Sequence, residues 1–83
     1  MLFLAKIEVD LKPGHTDPEG ETTASLLKEL GYKIRAVNVS KEYNIFIESE
    51  SLKEARVKAE EMCKRVLANP TKDNYTVHIE EQK

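Results

Sequence analysis

The amino-acid sequence predicts an α+β fold, a two-layer sandwich in which two helices cover one face of a mainly antiparallel, four-stranded sheet. Four segments have strand character, and two other segments place apolar residues at intervals of three and four. Each helical segment has one apolar stripe, so both helices must pack against the same face of the sheet. The element order is βαββαβ, and the 83 residues form a single domain, 1–83, with one modest core.

The first predicted strand covers residues 2–11 and alternates along its whole length. One face is polar from Lys6 onward and begins with Leu2 and Leu4. The opposite face is apolar throughout, and its members are Phe3, Ala5, Ile7, Val9 and Leu11. A strand with this pattern buries one face against helices and leaves the other open.

A loop rich in proline and glycine, residues 11–20, joins this strand to the first helix. Pro13 and Gly14 end the strand, because proline lacks an N–H group and glycine readily adopts a positive φ. Asp17 is a suitable helix N-cap, and Pro18 then occupies the first helical position, where no N–H group is needed. The spacing predicts a loop of fixed shape on the surface.

The first helix is predicted over residues 18–30, and Gly31 is well placed to end it. Its apolar side consists of Thr23, Leu26, Leu27 and Leu30. A second strand is predicted over residues 32–40. Its alternation slips between Ala36 and Val37, and a β-bulge could absorb that slip.

A short turn at residues 40–42 predicts an antiparallel hairpin with a third strand over residues 43–49. The second helix is predicted over residues 52–68, where Ser51 is a suitable N-cap and Glu54 completes a capping box. Its apolar stripe consists of Leu52, Ala55, Ala59, Met62, Cys63 and Val66. Asn69-Pro70 ends the helix, because the residue before proline is excluded from the α region. The last strand directs Tyr75, Val77 and Ile79 inward.

Right-handed crossovers favour a ferredoxin-like arrangement of these elements, with the first and third strands in the centre of the sheet. The face without helices would then expose Leu2, Leu4 and Phe46 at its centre. Apolar side chains clustered on an open sheet face indicate a contact surface, and an 83-residue core leaves little stability to spare. We therefore expect these three residues to mediate self-association.

The sequence contains no constellation of catalytic or metal-binding residues. His15 lies near Asp17 but has no nucleophile beside it, and His78 lies on the outward face of the last strand. Cys63 is the only cysteine, which excludes an internal disulfide and a cysteine-based metal site. The net charge of −2 offers no attraction to nucleic acid, and no apolar stretch is long enough to span a membrane.

Several functions associated with this topology are disfavoured by specific residues. An RNA-recognition module needs aromatic residues on adjacent central strands, and only Phe46 is suitably placed. A metal-chaperone domain needs a C-x-x-C loop, and a phosphate-ester hydrolase needs an arginine and a glycine-rich loop after the first strand; both motifs are missing. A small-molecule regulatory domain of the amino-acid-binding type remains open, since such sites lie at subunit interfaces and have weak motifs.

Three separated segments carry a resemblance that covers essentially the whole chain. They read L-K-P-G-H-T-D-P-E-G at residues 11–20, C-K-R-V-L-A-N-P at residues 63–70 and D-N-Y-T-V-H-I-E at residues 73–80. These segments resemble the PurS family, the small subunit of phosphoribosylformylglycinamidine synthase. Two departures from the family pattern lie in loops, His15 in place of an aliphatic residue and Ser40 in place of glycine.

The resemblance implies a subunit without an active site of its own, within an ATP-dependent glutamine amidotransferase ligase of purine biosynthesis. In the family, a large synthetase subunit uses ATP and Mg, a glutaminase subunit releases ammonia, and PurS joins the two without a cofactor. The complex converts formylglycinamide ribonucleotide to formylglycinamidine ribonucleotide. The implied partners are these two subunits and further copies of the chain, as a homodimer or tetramer, in the cytoplasm.

The residues expected to shape the partner-facing surface come from the two loops of the resemblance. They are Lys12, Pro13, Gly14, Asp17, Pro18, Gly20, Asn69 and Pro70. Each also has an ordinary role as a helix cap or turn former.

Overall fold

The computed structural model describes all 83 residues and confirms an α+β fold with two helices. The elements are β1 (Leu2–Leu11), α1 (Pro18–Glu29), β2 (Lys41–Glu48), α2 (Leu52–Met62) and β3 (Asp73–Gln82). The sheet has three strands in the order β2-β1-β3, and both pairings are antiparallel. The central strand is therefore the one with the most apolar inner face.

The fourth strand predicted over residues 32–40 is wrong. This segment, which we call the arm, runs without regular secondary structure and pairs with no strand. The Asp17 carboxylate accepts a hydrogen bond from the Val39 N–H group (2.8 Å), which draws the arm towards the start of α1. β2 begins at Lys41, directly after the arm, so the chain has no turn with which to form the expected hairpin. The slip at Ala36–Val37 is not a bulge, because there is no ladder for it to interrupt.

The core lies between the inner face of the sheet and α2. The β1 residues Phe3, Ala5 and Ile7 are almost completely buried. They meet the small residues Ala55 and Ala59 of α2, which allow the helix to approach the sheet closely. Around them the core is completed by Val9, Ile47, Cys63, Ala68 and Ile79.

The expectation that both helices cover the sheet is correct only for α2. Gly20 is the only buried residue of α1, while Leu26 and Leu30 are 56% and 75% exposed. α1 makes no substantial contact with any strand. The chain measures 51 × 30 × 14 Å, and its radius of gyration is 16.4 Å. A compact chain of this length would have a radius of about 12 Å. α1 and the arm thus extend away from the sheet.

The expected helix ends are largely confirmed. Asp17 caps α1 by accepting the Gly20 N–H group (2.9 Å), and Gly31 leaves the helix with φ of 97°. Ser51 caps α2 by accepting the Glu54 N–H group (3.1 Å), although the Glu54 carboxylate faces the Ser49 hydroxyl and does not complete a capping box.

The last turn of the second helix is wider than an α-helix. Residues Cys63–Leu67 form a π-helical segment, because the Ala68 N–H group donates to the Cys63 carbonyl five residues earlier (2.9 Å). The predicted helix over residues 52–68 is therefore correct in extent, with its final turn in a different hydrogen-bond pattern.

Candidate partner-docking site

The two loops singled out from the sequence meet at one end of the sheet. β1 ends where β3 begins, so the chain leaves one strand and enters the other side by side. The Lys12 N–H group donates to the Lys72 carbonyl (2.7 Å), and Lys12 Nζ donates to the Pro70 carbonyl (2.8 Å). We call this surface the loop ridge and define it as residues 12–14 and 69–72. Lys12 therefore links the two halves of the loop ridge through two hydrogen bonds.

The second half of the loop ridge is a turn that satisfies its own backbone. Asn69 Oδ1 accepts the Thr71 N–H group (2.9 Å), and Asp73 Oδ2 accepts the Asn69 N–H group (2.9 Å). The Asn69 carbonyl accepts the N–H groups of Lys72 and Asp73 (3.1 and 2.8 Å). Because these polar groups bond within the turn, Asn69 and Pro70 can remain exposed while the loop keeps one shape.

The first half of the loop ridge projects into solvent. Pro13 and Gly14 are exposed, and Gly14 has φ of 90°, a conformation that other residues rarely adopt. Nothing in the chain covers Pro13, Gly14 or Pro70. The structure therefore brings together five of the eight residues expected to face partners, and these are Lys12, Pro13, Gly14, Asn69 and Pro70.

Asp17, Pro18 and Gly20 form a second group, at the start of α1. The two Asp17 oxygens have different partners, since Oδ1 accepts from Gly20 and Oδ2 accepts from Val39. Pro18 is exposed at the first helical position. Hydrogen bonds from the backbone N–H groups of Val39 and then Gly20 lower the pKa of the Asp17 carboxyl, because they stabilise its charged form. We call this arrangement the arm latch.

Gly20 is buried beneath the arm, and its role there is steric. A Cβ atom on Gly20 would lie 2.3 Å from the carbonyl oxygen of Val37 and 2.8 Å from Asp17 Oδ2. The close approach of the arm therefore requires glycine. No pattern in the sequence indicates Val37 and Val39 as parts of this site; a glycine three residues after an N-cap is the one signal that another backbone passes nearby.

An open cleft of about 400 Å³ separates the loop ridge from the arm. Its lining is mostly polar and includes Glu8, Asp10, Lys12, His15 and Asp17. His15 and Asp17 line the same cleft, but both Asp17 oxygens are occupied by backbone N–H groups. No group of three or more histidine, cysteine, aspartate or glutamate side chains is arranged to hold a metal ion.

The sheet face without a helix carries the three residues expected to mediate self-association. Leu4 lies directly opposite Phe46 in the β1–β2 pairing, and Phe46 is 61% exposed. Leu2 is also exposed at the end of β1. Beside them, Lys6 Nζ and His78 Nε2 approach the Glu80 carboxylate at 3.7 and 3.9 Å, and all three side chains are well exposed. We call Leu2, Leu4 and Phe46 the open-face patch.

The remaining titratable groups of interest are structural. Burial raises the pKa of the Cys63 thiol, with a smaller contribution from the charge of Glu60. The Tyr75 hydroxyl donates to Glu60 Oε2 (2.8 Å), which joins β3 to α2 and raises the pKa of the phenol. Neither group faces a cleft with a second reactive partner. No helix is both long enough and apolar enough to cross a membrane.

Comparison with known sequences identifies relatives of one kind. Residues 4–81 match the family model described as PurS, phosphoribosylformylglycinamidine (FGAM) synthase. The chain is 40% identical over 76 residues to the phosphoribosylformylglycinamidine synthase subunit PurS of Archaeoglobus fulgidus, a match that covers 90% of this chain and 95% of the relative. It is 34% identical over 80 residues to the Methanocaldococcus jannaschii subunit, covering 95% and 96%.

Solved structures agree with this result. The Methanocaldococcus jannaschii PurS crystal structure superposes with a TM-score of 0.86 at 33% identity, covering 98% of this chain and 99% of the other. Thermus thermophilus PurS gives 0.88 at 33% identity over 100% of both chains. A chain in the structure of PurLQS from Thermotoga maritima gives 0.87 at 27% identity, covering 96% and 99%. The chain belongs to the PurS family and is a subunit of phosphoribosylformylglycinamidine synthase, an enzyme of purine biosynthesis.

Proposed function

We propose that this chain joins the glutaminase and synthetase subunits of its enzyme and contributes docking surface without a reacting group. The observation that carries this proposal is the loop ridge, a fixed and exposed surface in which Lys12 holds two distant loops together. The backbone N–H groups of Lys12, Asn69, Thr71 and Lys72 are already bonded within the chain, which leaves the exposed side chains of the loop ridge free to contact another protein. The likeness to a chain of the Thermotoga maritima PurLQS structure supports such an assembly role.

Ammonia chemistry gives a physical reason for a separate docking subunit. Ammonia that escapes into water is protonated and ceases to be a nucleophile, so the subunit that releases it must be sealed against the subunit that consumes it. A rigid adaptor holds the two active sites in register without taking part in either reaction. We assign the binding of ATP and Mg²⁺ to the synthetase subunit. None of the eight proposed docking residues is assigned to bind ATP or Mg²⁺. The cytoplasm is the proposed location.

We propose further that the chain self-associates through the open-face patch, as a dimer or a tetramer. Leu4 of the central strand and Phe46 of the edge strand β2 form an adjacent cross-strand pair near the end of the sheet where β1 begins, with Leu2 exposed beside them; the expectation that both strands are central is wrong. Burying this pair against the same pair in another copy would remove apolar surface from water. Because the patch would contact itself, the interface would have twofold symmetry.

Reconstitution tests the docking role. Purified chain is mixed with the synthetase and glutaminase subunits, and glutamine-dependent formation of the amidine is measured with and without it. We expect strong dependence on the chain and no turnover by the chain alone. Full glutamine-dependent activity without the chain would refute the role and favour the small-molecule regulatory domain, for which an amino-acid and nucleotide binding screen is the next measurement.

Variants then locate the docking surface. Pro13→Glu places a charge on the exposed loop ridge without removing a hydrogen bond, and we expect it to weaken assembly at least about 10-fold. Lys53→Glu is the matched control, because Lys53 is exposed on the first turn of α2, at the opposite end of the sheet. If both variants weaken assembly equally, or if neither weakens it, the loop ridge is not the docking surface.

A further inference from the structure

A small apolar pocket lies on the helix side of the sheet, between the loop ridge and the arm latch. It has a volume of about 200 Å³. Its apolar walls come from the end of β1, the arm and the π-helical segment, and they consist of Val9, Leu11, Val39 and Leu67. We call these four residues the inner pocket. Val9 is buried and the other three are half-buried, so the pocket opens outward from the edge of the core.

Hydrogen bonds within the chain fix the walls of the inner pocket. The Val39 N–H group donates to Asp17 Oδ2 (2.8 Å), which holds this part of the arm at the pocket. Leu67 ends the π-helical segment, and the Ala68 N–H group that follows it donates to the Cys63 carbonyl (2.9 Å). A pocket whose walls are already held in place needs little further ordering when a group binds in it.

Charged side chains of both signs surround the apolar walls. They are Asp10, Asp17, Glu19, Lys41, Lys72 and Asp73. Asp17 and Asp73 accept hydrogen bonds from backbone N–H groups of this chain, and Lys41 and Lys72 form no ion pair within it. A broad apolar surface could cover this rim only by removing water from charged groups, which is costly. The rim therefore favours an occupant that is apolar only where it enters the pocket.

The dimensions of the inner pocket suit a single side chain. An apolar cavity of about 150 Å³ accepts a benzene ring. A helix is about 10 Å across and needs a groove that follows several of its turns. The matching occupant is one aromatic or branched apolar side chain that projects from an otherwise polar surface. Anchors of this kind, enclosed by a polar rim that excludes water, carry most of the binding free energy of protein interfaces.

The position of the inner pocket connects the two groups of residues expected to face partners. Lys72 belongs to the loop ridge and Asp17 to the arm latch, and both line the pocket. A partner seated on the loop ridge therefore meets the pocket as part of the same surface. One side chain in the pocket would contact both groups at once.

We propose that the inner pocket receives one apolar anchor side chain from the subunit that docks on the loop ridge, which is the synthetase or the glutaminase. The inference deepens the proposed docking role and rests on it. The loop ridge positions the partner, and burial of the anchor against Leu11, Val39 and Leu67 removes apolar surface from water on both proteins.

Filling the inner pocket from within tests this inference. Val39→Phe places a larger side chain in the pocket and keeps the backbone N–H group that Asp17 accepts. Sedimentation velocity of the full chain with each purified subunit, and with both, gives the dissociation constants. We expect the constant for one subunit to rise on the order of 100-fold. Val57→Phe is the matched control, because Val57 is 53% exposed on α2, outside the inner pocket, and we expect it to bind as the wild type does.

Methyl NMR spectra of the wild-type chain provide a reading that needs no variant. With the leucine and valine methyl groups isotope-labelled, we expect the signals of Leu11, Val39 and Leu67 to shift when the partner subunit is added. The signals of Val57 and Val66, which are exposed elsewhere on the chain, should not move. If Val39→Phe lowers the urea midpoint, the wild-type spectra decide the question.

The outcomes separate the inner pocket from the docking role. Wild-type binding of Val39→Phe to both subunits, or pocket methyl signals that do not move when a subunit binds, would overturn the inference. If Pro13→Glu weakens assembly in the same assay and Val39→Phe does not, the loop ridge docks a partner and the pocket takes no part. A wild-type chain that binds neither subunit refutes the docking role and the pocket together.

Other occupants are tested on the same labelled chain without the partner subunits. Free phenylalanine and free leucine probe a small-molecule site, and a rise in the concentration of the chain probes a second copy. If either shifts the methyl signals of Leu11, Val39 and Leu67, that occupant replaces the partner's anchor and the inference is wrong.

Discussion

Replacing Gly20 by alanine tests whether the arm latch is a real steric constraint. In an exposed helix interior this substitution stabilises by about 1 kcal/mol, because alanine loses less backbone entropy than glycine. Here the new Cβ atom would lie 2.3 Å from the Val37 carbonyl oxygen, so either the arm or the first turn of α1 must move. Overpacking of this kind costs about 1–3 kcal/mol. The balance predicts a net loss of about 1 kcal/mol.

Urea unfolding followed by circular dichroism measures this balance. With a slope of about 1 kcal/mol per M for a small domain, the midpoint of Gly20→Ala should fall by about 1 M. Ser25→Ala is the control on the same helix, because Ser25 is exposed and its replacement should raise the midpoint slightly. All samples must share one protein concentration, since self-association shifts midpoints. A Gly20→Ala chain more stable than the wild type would refute the close approach of the arm.

Three further predictions follow from the titratable groups. The lowered pKa of Asp17 adds stability to the folded chain that is complete above roughly pH 5 and is lost as the pH falls through that pKa. Asp17→Asn keeps only one acceptor oxygen for the N–H groups of Gly20 and Val39. In thermal melts, this variant should therefore be less stable than wild type near neutral pH and approach the wild-type stability in acid. Burial and the raised pKa of Cys63 predict no labelling by a thiol reagent in the folded chain at pH 7 and rapid labelling in urea; prompt native labelling would contradict the buried position. The hydrogen bond to Glu60 raises the pKa of Tyr75, so an ultraviolet titration of Glu60→Gln should show one tyrosine ionising at lower pH than in wild type.

The elements that could be predicted from the sequence are those whose signals are local. Alternation in β1 and the caps at Asp17 and Ser51 depend on neighbouring residues, and the structure has them as expected. The length of the second helix was also correct, although its last turn is π-helical. The predicted apolar stripe is correct for Ala55, Ala59 and Cys63, which are buried, and wrong for its two ends, since Leu52 is 52% exposed and Val66, in the π-helical segment, is 80% exposed.

The sequence pattern does not predict the arm, because its conformation depends on contacts between residues that are distant in sequence. Ile34 to Val39 has the composition of a strand, but the structure has no strand there and the backbone bends at Arg35. The Val39 N–H group donates to the second oxygen of Asp17, twenty-two residues away, and not to a neighbouring strand. The apolar side of α1 was likewise recognised, but the pattern could not say that the chain's own sheet would leave it uncovered.

The docking residues were predicted as one set, and the structure divides them into two. The five residues of the loop ridge are gathered by the antiparallel pairing of β1 with β3, which no local pattern encodes. Asp17 and Gly20 have hydrogen-bonding and steric roles inside the chain that account for their residue types. The assignment of the loop ridge to partner binding remains a prediction that reconstitution with Pro13→Glu will test.

The two bonds made by Lys12 also bear on how accurately the enzyme can be assembled. They join loops 58 residues apart in sequence through both the backbone and the side chain of one residue. The relative position of the loops is thus fixed when the chain folds, and a partner that binds either loop needs to order little else. If the two subunits bind opposite halves of the loop ridge, the hydrogen bonds of Lys12 would fix the distance between their binding sites. An ammonia path between them would stay aligned without either enzyme recognising the other in detail.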